Sequence, residues 1–189
     1  MTEKEKMLAG ELYFSPDPEL CEERARAKAL CEEFNKTPRA EAEKRDELLR
    51  TLLGKCGKEL QIEANVWFDY GYNVEAGENF YCNHDCVFLD CNKIVFGDNV
   101  FIAPQCGFYT AGHPLDAETR NACLEFARPI VVGNDVWFGG GVKVMPGVTI
   151  GSNVVIGGGS VVVRDVPSDC VAAGNPAKVI KRLPPKGTK

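Results

Sequence analysis

Residues 132–167 read VGNDVW FGGGVK VMPGVT IGSNVV IGGGSV VVRDVP, six consecutive blocks of six residues that follow one pattern. Each block opens with an aliphatic or aromatic residue, and the second residue is glycine in four of the six blocks. The fifth residue is small or β-branched, as Val136 and Ser160 illustrate. This regularity is a hexapeptide repeat, whose first positions are Val132, Phe138, Val144, Ile150, Ile156 and Val162.

A period of six residues predicts a coil of short strands. Strands alternate their faces with a period of two, so one position in six stays buried in a coil of strands but not along a helix. If each block is a short strand followed by a bend, three blocks make one triangular coil of about eighteen residues. The first and fifth positions then point inward, and glycine or another small residue allows the corner. The sequence therefore predicts a mainly β fold, a parallel β-helix.

The same frame continues toward the N-terminus, although less regularly. Further blocks open at Phe96, Ile102 and Phe108, and weaker copies open at Ile62, Phe68, Ala76, Cys82 and Phe88, with two-residue slips between groups. Counted together, fourteen blocks predict nearly five coils. The alternative is a β-sandwich, which would place turns irregularly at intervals of about 8–12 residues. The unbroken period of six after Val132 disfavours it.

The first sixty residues carry helical patterning instead. An N-cap at Asp17 is followed by Pro18 at the first helical position, and apolar residues then recur at helical spacing. Thr37 and Pro38 predict a second helix start, which leads through a charged segment to a C-cap at Gly54. The sequence therefore predicts a helical segment ahead of the repeats.

Composition and charge limit the function. The chain has 189 residues, enough for one domain or for one domain with an appendage. Its net charge is −5 and it has no long stripe of Lys or Arg, so nucleic acid is a poor partner. No apolar run approaches the roughly 18 residues of a membrane span. Nine cysteines without a signal peptide favour reduced thiols, and we expect a soluble, cytoplasmic protein with no membrane partner.

The repeat frame breaks once, between Phe108 and Val132. The polar loop there, residues 109–128, carries His113, one of only two histidines in the chain. Functional residues usually lie in loops extruded from a regular solenoid. His113 is therefore the candidate for histidine chemistry.

The other histidine suggests a metal site at first sight. His84 lies between Cys82 and Cys86, a short spacing of potential ligands. Both cysteines, however, fall at inward positions of a block, where they act as small apolar residues. This placement puts His84 on the outside or at a subunit edge, and we expect no metal.

Several motifs together resemble one family. They are the hexads, the loop motif Gly112-His113-Pro114, the segment Val136–Gly140 and the stretch Ala173–Ile180. They resemble the hexapeptide-repeat acyltransferases, and Glu5–Tyr13 with Asp69–Asn73 narrows the resemblance to the maltose/galactoside O-acetyltransferase branch, with the maltose type looking closer.

The resemblance implies a left-handed parallel β-helix, a homotrimer with sites between subunits, and acetyl-CoA as the acetyl donor. It implies that a helical segment, residues 1–60, closes the acceptor site. The β-helix domain would then be residues 61–189, with the catalytic loop extruded from it and a basic tail from residue 174 to residue 189.

The family's reaction moves an acetyl group from a thioester to a hydroxyl. A base must take the hydroxyl proton as the oxygen attacks, and donors must stabilise the tetrahedral oxyanion. His113 matches the family's catalytic histidine, and neutral imidazole is available near neutral pH. Glu125 or a backbone carbonyl would orient its ring. The resemblance assigns Asn83, Asp69, Tyr13 and Asp17 to acceptor binding, and we place Glu125 in the same set because it lies in the loop that returns to the coil.

A second set of positions matches those with which the family holds coenzyme A. Gly140 stands where the galactoside type has serine, but its backbone N–H would still meet the thioester carbonyl, so activity would not depend on that side chain. Without a side chain, Gly158 would let the pantetheine arm lie against the coil. Lysines in the tail would supply positive charge for the phosphates. Trp137 would shield the pantetheine or pack in the trimer. The full set is Gly140, Gly158, Val163, Arg164, Lys178, Lys181 and Trp137.

We expect an O-acetyltransferase for a small sugar such as maltose or glucose, and three alternatives stand beside it. The acceptor could instead be a galactoside, a xenobiotic or an amino sugar. A metal-dependent hydratase on the same kind of coil, as in the γ-type carbonic anhydrases, uses three histidine ligands, whereas this chain has two histidines. A non-catalytic trimeric scaffold would not need the Gly-His-Pro loop or the basic tail.

Overall fold

The chain folds into a three-faced solenoid of short parallel strands preceded by helices. The computed structural model describes residues 1–184. The helices are α1 (Glu3–Ala9), α2 (Pro18–Lys36), α3 (Ala42–Leu52) and α4 (Ala117–Asn121). The strands are β1 (Tyr13–Phe14), β2 (Lys55–Cys56), β3 (Leu60–Ile62), β4 (Trp67–Phe68), β5 (Val74–Ala76), β6 (Phe80–Cys82), β7 (Val87–Leu89), β8 (Ile94–Phe96), β9 (Val100–Ile102), β10 (Gly107–Tyr109), β11 (Ala111–Gly112), β12 (Leu124–Ala127), β13 (Ile130–Val132), β14 (Val136–Phe138), β15 (Lys143–Val144), β16 (Thr149–Ile150), β17 (Val154–Ile156), β18 (Val161–Val162), β19 (Cys170–Gly174) and β20 (Ala177–Arg182).

Three parallel sheets form the faces of the prism. Face I contains β2, β5, β8, β13 and β16, and face III contains β4, β7, β10, β15 and β18. Face II contains six parallel strands, β3, β6, β9, β14, β17 and β19. Each coil passes from face I to face II to face III, so the chain turns at three edges, named I–II, II–III and III–I. The parallel β-helix predicted from the repeats is confirmed, but the prediction of nearly five coils is too low, because six parallel strands are stacked on face II.

The inward positions of the repeat form the core. All six first positions of residues 132–167 are buried, and so are the six fifth positions from Val136 to Val166. Residues one coil apart stack, with ring centroids 4.8 Å apart for Phe68 and Phe88 and 5.2 Å apart for Phe88 and Phe108. These distances are close to the spacing of about 4.7–4.9 Å between paired strands. An aromatic column therefore runs up the inside of face III.

The two-residue slips in the repeat all fall at edge III–I. First positions on faces III and I are eight residues apart in the lower coils, as between Phe68 and Ala76, but six apart between Val144 and Ile150. The lower coils thus carry wider turns at this edge than the upper coils do. The catalytic-loop candidate, residues 109–128, leaves the solenoid at the same edge.

Asparagine and aspartate provide the left-handed backbone at edge I–II. The residues with φ between 53° and 58° there are Asn79, Asn99, Asp135, Asn153 and Asp169. Short polar side chains tolerate this conformation because they bond locally, and the Asn79 amide donates to Asn99 Oδ1 at 2.9 Å. Glycine has a different role, since a Cβ on Gly151 would lie 2.5 Å from the Ser168 backbone nitrogen. The hexad glycines at this edge therefore allow coils to stack closely rather than make the turn, which corrects the prediction that glycine makes these corners.

Helices α2 and α3 close the lower end of the solenoid. Phe34 of α2 is buried in the same cluster as Ile62 of the first coil. The predicted second helix start is wrong, because Thr37 ends α2 by donating its hydroxyl to the Glu33 carbonyl, and α3 begins only at Ala42. The intervening Pro38 turn separates the two helices.

The extruded loop forms a small antiparallel sheet with the N-terminal segment. Its strand order is β1–β12–β11, with the N-terminal strand on the outside. The buried Asn92 amide donates to the carbonyls of Met7, Leu8 and Ala127 at 3.1–3.2 Å. One side chain of the solenoid thus holds both α1 and the end of the loop.

The upper end of face II is a hairpin. After β19 the chain reverses, and β20 runs antiparallel to it, with a register shift between Val171 and Ala172. Ala177–Arg182 includes the first part of the predicted basic tail, and residues 185–189 lie outside the described residues.

Candidate active site

His113 lies at edge III–I beside a carboxylate held by a tyrosine. Its side chain is 55% exposed, and Nε2 lies 3.9 Å from Glu125 Oε1. The hydroxyl of Tyr13 donates to Glu125 Oε2 at 2.9 Å. Tyr13 and Glu125 are register partners in the β1–β12 pair, so backbone pairing places the two side chains together. The structure therefore groups three residues that the sequence assigned to one site.

Tyr13 is a buried hydrogen-bond donor rather than an acid. Burial raises the pKa of its phenol well above the ordinary value, and the nearby Cys91 and Glu125 raise it further. A phenol that stays protonated can only fix the orientation of the Glu125 carboxylate. One Glu125 oxygen is thereby used, and the other faces the His113 ring.

Asp69 is paired with a lysine that the sequence did not single out. Asp69 Oδ1 accepts a charged hydrogen bond from Lys28 Nζ of α2 at 2.9 Å. The buried Cys91 thiol donates toward Asp69 Oδ2 at 3.8 Å. Burial and the Asp69 charge raise the pKa of Cys91 to about 12, so this thiol stays neutral near neutral pH. Cys91 also contacts Tyr13, which links Asp69 to the His113 cluster.

Asp90 lies one coil above Asp69 at the same edge and was also missed. Its side chain is fully buried, and Oδ1 accepts the backbone N–H groups of Asp69 and Tyr70, both at 2.9 Å. Its Oδ2 has no hydrogen-bond partner among residues 1–184. Burial raises the pKa of Asp90 to about 6, helped by the charge of Asp69. The turn that Asp90 holds continues through Gly71, whose φ is +77°.

Asp17 has a clear local function as a helix cap. Its Oδ1 accepts the backbone N–H groups of Glu19 at 3.0 Å and Leu20 at 3.3 Å. The N-cap predicted for α2 is therefore confirmed. A role for Asp17 toward the acceptor stays a prediction.

Asn83, Gly140 and Gly158 lie at a different edge, II–III. Asn83 Oδ1 accepts the backbone N–H of His84 at 2.8 Å. A Cβ on Gly158 would lie 3.2 Å from the Gly140 carbonyl oxygen, whereas a Cβ on Gly140 would meet only the Pro104 oxygen at 3.6 Å. The two glycines stack and leave bare backbone at the surface, and a side chain is sterically easier at Gly140.

The remaining members of the predicted cofactor set are spread over the surface. Trp137 lies on face II with 54% of its surface exposed. Val163 and Arg164 follow β18 at edge III–I, and both are exposed. Lys178 and Lys181 lie on β20, where both are exposed. One chain therefore does not bring the whole set together.

The region of His84 is arranged as the repeat frame predicts. Cys82 and Cys86 are fully buried, and His84 is exposed. Within residues 1–184, no group of three or more His, Cys, Asp or Glu side chains is arranged to hold a metal ion. In the same range, no helix combines the length and apolarity that crossing a membrane would require.

Two family descriptions match separate parts of the chain. Residues 6–57 match the maltose acetyltransferase hexapeptide capping motif, which begins within α1 and includes all of α2 and α3. Residues 129–164 match the bacterial transferase hexapeptide with its six repeats. These repeats fit a left-handed β-helix, as the resemblance implied.

Solved structures agree over almost the whole chain. A maltose O-acetyltransferase from Clostridium difficile 630 is 52% identical, with a TM-score of 0.96 over 97% of this chain and 98% of that one. A galactoside acetyltransferase in complex with coenzyme A is 40% identical, with a TM-score of 0.94 over 97% and 92%. A hexapeptide-repeat acetyltransferase from Vibrio cholerae, complexed with acetyl-CoA, is 36% identical, with a TM-score of 0.88 over 97% and 100%. The chain is therefore an acetyltransferase that belongs to the maltose/galactoside branch of the hexapeptide-repeat acyltransferase family.

Proposed function

We propose that this acetyltransferase moves the acetyl group of acetyl-CoA to a hydroxyl of a small sugar such as maltose or glucose, with His113 as general base. The observation that carries the proposal is the cluster at edge III–I. There the exposed His113 faces Glu125, and the buried Tyr13 hydroxyl holds that carboxylate. The neighbours add support, since one is a maltose O-acetyltransferase and two are complexes with coenzyme A or acetyl-CoA.

The proposed reaction needs one base and one set of oxyanion donors. The His113 nitrogen that faces away from Glu125 takes the hydroxyl proton as the acceptor oxygen attacks the thioester carbonyl carbon. The backbone N–H of Gly140 stabilises the tetrahedral oxyanion. When the C–S bond breaks, the imidazolium returns the proton to the leaving thiolate, which gives the acetyl ester and free coenzyme A. Glu125 stabilises the imidazolium between the two proton transfers.

The proposed site needs two copies of the chain. His113 lies at edge III–I, and Asn83 lies at edge II–III with Gly140. Face III separates these edges within one chain, by about six residues or roughly 20 Å of extended backbone. Edge III–I of one protomer against edge II–III of the next would bring them together. This division supports sites between subunits, and the family resemblance implies that the subunits form a homotrimer.

In this arrangement the residues predicted to bind coenzyme A also lie along one continuous path between two protomers. Gly158 of one protomer would line the pantetheine path, while Val163 and Arg164 of the next would flank it from the opposite edge. Lys178 and Lys181, exposed at the upper end of face II, would meet the phosphates of coenzyme A. We assign Trp137, on the same face, to the wall of this path.

An acceptor screen tests the proposed function. Labelled acetyl-CoA is supplied with glucose, maltose, galactosides and amino sugars, and transfer to maltose or glucose is expected. His113→Ala should lower kcat by a factor on the order of 10²–10⁴, with an unchanged thermal unfolding profile. Transfer to neither maltose nor glucose would contradict the proposed function. A variant within a few-fold of wild type would contradict only the assignment of the base.

A further inference from the structure

The ion pair between Lys28 and Asp69 is fixed and reachable from solvent. Lys28 Nζ lies 2.9 Å from Asp69 Oδ1, and the two side chains are 44% and 16% exposed. The backbone of Asp69 is fixed by the buried Asp90 carboxylate, which accepts the Asp69 N–H. Lys28 comes from α2, so the pair joins the helical segment to the wide turn at edge III–I.

A series of side-chain contacts connects the pair to His113. The Cys91 thiol approaches Asp69 Oδ2 on one side and contacts Tyr13 on the other. Tyr13 in turn donates to Glu125, which faces the His113 ring. This unbroken series of contacts runs from the ion pair to the proposed base. These contacts fix the position of the ion pair relative to His113, at the same edge of the solenoid.

The hydrogen-bonding capacity of the pair differs from that of a lone carboxylate. An ammonium group has three N–H donors, and the contact with Asp69 uses one of them. Asp69 Oδ1 is engaged by Lys28, so Oδ2 is the oxygen that remains on the Cys91 side. The pair therefore offers one charged donor and one charged acceptor side by side. Neighbouring hydroxyls of a sugar match this arrangement, since one can accept and the other can donate.

We propose that Lys28 is a specificity-determining residue that, together with Asp69, binds two neighbouring hydroxyls of the acceptor sugar. This inference rests on the proposed function, and it narrows the acceptor to a neutral sugar with a vicinal diol. The Lys28 ammonium donates to one hydroxyl oxygen, and the other hydroxyl donates to Asp69 Oδ2. A protonated amine next to Lys28 would be repelled, which disfavours amino sugars.

The test compares Lys28→Met with Lys28→Arg and with a matched control. Lys44→Met is the control, because Lys44 pairs with Glu33 at 3.0 Å, is 47% exposed, and also ties α2 to a neighbouring element. Steady-state kinetics are measured with acetyl-CoA and glucose, and then with 2-, 3-, 4- and 6-deoxyglucose. Thermal unfolding of each variant is recorded alongside.

Lys28→Met should raise the KM for glucose by at least about tenfold, the value of a charge-assisted hydrogen bond near 1.4 kcal/mol. The KM for acetyl-CoA and the unfolding temperature should stay close to those of Lys44→Met. Lys28→Arg keeps the charge and the ion pair, so it should remain within a few-fold of wild type. One of the four deoxyglucoses should be a poor acceptor for wild type, because it lacks the hydroxyl that Lys28 binds. Its KM should not rise further in Lys28→Met, because the variant and the deoxy sugar each remove one partner of the same hydrogen bond.

Two results would overturn the inference. One is an unchanged KM for glucose in Lys28→Met. The other is the same factor of loss with glucose and with all four deoxyglucoses, which would mean that Lys28 only supports the fold of the pocket. Failure of the proposed function is a separate result, since wild type would then transfer acetyl to neither glucose nor maltose.

Discussion

Replacing Asp90 by asparagine tests how much the ionisation of this buried carboxyl group destabilises the folded protein. Asp90 is fully buried, and its Oδ1 accepts two backbone N–H groups, from Asp69 and Tyr70. The amide oxygen of asparagine can keep both bonds, so Asp90→Asn removes the charge and leaves the acceptor. The substitution therefore separates the cost of ionising this group from its role in the turn.

The pKa of Asp90 gives the expected size and sign. It is raised from 3.8 to about 6 in the folded protein, chiefly by burial. The folded state holds the proton more tightly than the unfolded state, so ionisation of Asp90 destabilises the native protein as pH rises from about 4 through 6. A shift of about 2 units corresponds to about 3 kcal/mol at neutral pH, of which about 2 kcal/mol develops between pH 4.5 and pH 7.5. The asparagine variant lacks this contribution at every pH.

Urea unfolding at fixed protein concentration measures the effect. The free energy of unfolding of Asp90→Asn minus that of wild type should rise by about 2 kcal/mol from pH 4.5 to pH 7.5. Any constant cost of placing an amide NH₂ at the Oδ2 position cancels in this comparison. Asp46→Asn, at a carboxylate on the surface of α3, serves as control and should show a much smaller change. A difference that does not vary with pH would refute the assignment of a raised pKa to Asp90.

Three further predictions concern the orientation of Glu125, the attachment of the N-terminal helix and the loop to the solenoid, and the division of the site between subunits. Tyr13→Phe removes the 2.9 Å hydrogen bond to Glu125, and loss of about 1 kcal/mol should lower kcat roughly fivefold without changing the KM for acetyl-CoA; an unchanged kcat would contradict the positioning role. Asn92→Ala leaves the buried carbonyls of Met7 and Ala127 and the part-buried carbonyl of Leu8 without their amide donor, so the free energy of unfolding should fall by about 2–4 kcal/mol. Substitution of the exposed Asn121 should have little effect. Inactive His113→Ala and Asn83→Ala proteins, mixed in equal amounts and reassembled, should recover about a quarter of wild-type activity if sites form between subunits of a trimer. About a quarter of the sites would then have an intact His113 from one subunit and an intact Asn83 from its neighbour. No recovery would place each site within one chain.

The fold was predictable because the repeat leaves little choice. From Val132 to Pro167 every first and fifth position is apolar or small, and every one of them is buried. The β1–β12 pair was not predictable in the same way. It joins Tyr13 to Glu125, far apart in the chain, through strands of only two to four residues. Such short strands carry no periodic signal, so only the tertiary structure reveals that the N-terminus covers the loop.

The candidate site was predictable in part. The break in the repeat located His113, but Lys28 and Asp90 were missed for different reasons. Lys28 lies among the many charged residues of α2, which are typical of a solvent-exposed helix face. No pattern in the sequence of α2 indicates that Lys28 pairs with Asp69. Asp90 did leave a signal in the sequence. First positions Phe88 and Phe96 are eight residues apart instead of six, so this block contains two residues more than the repeat requires, and Asp90 is one of the polar residues in it. Those slips mark the wide turns of edge III–I, where the candidate site lies.

The hairpin at the upper end of face II also bears on how copies of the chain can meet. The outermost strand of an open sheet presents unpaired N–H and C=O groups, to which another strand can add. On face II that strand is β20, which exposes Lys178, Lys181 and Arg182 and so repels a like-charged end. The opposite end is closed by α2 and α3. Addition of another strand or another copy along the prism axis is therefore disfavoured at both ends.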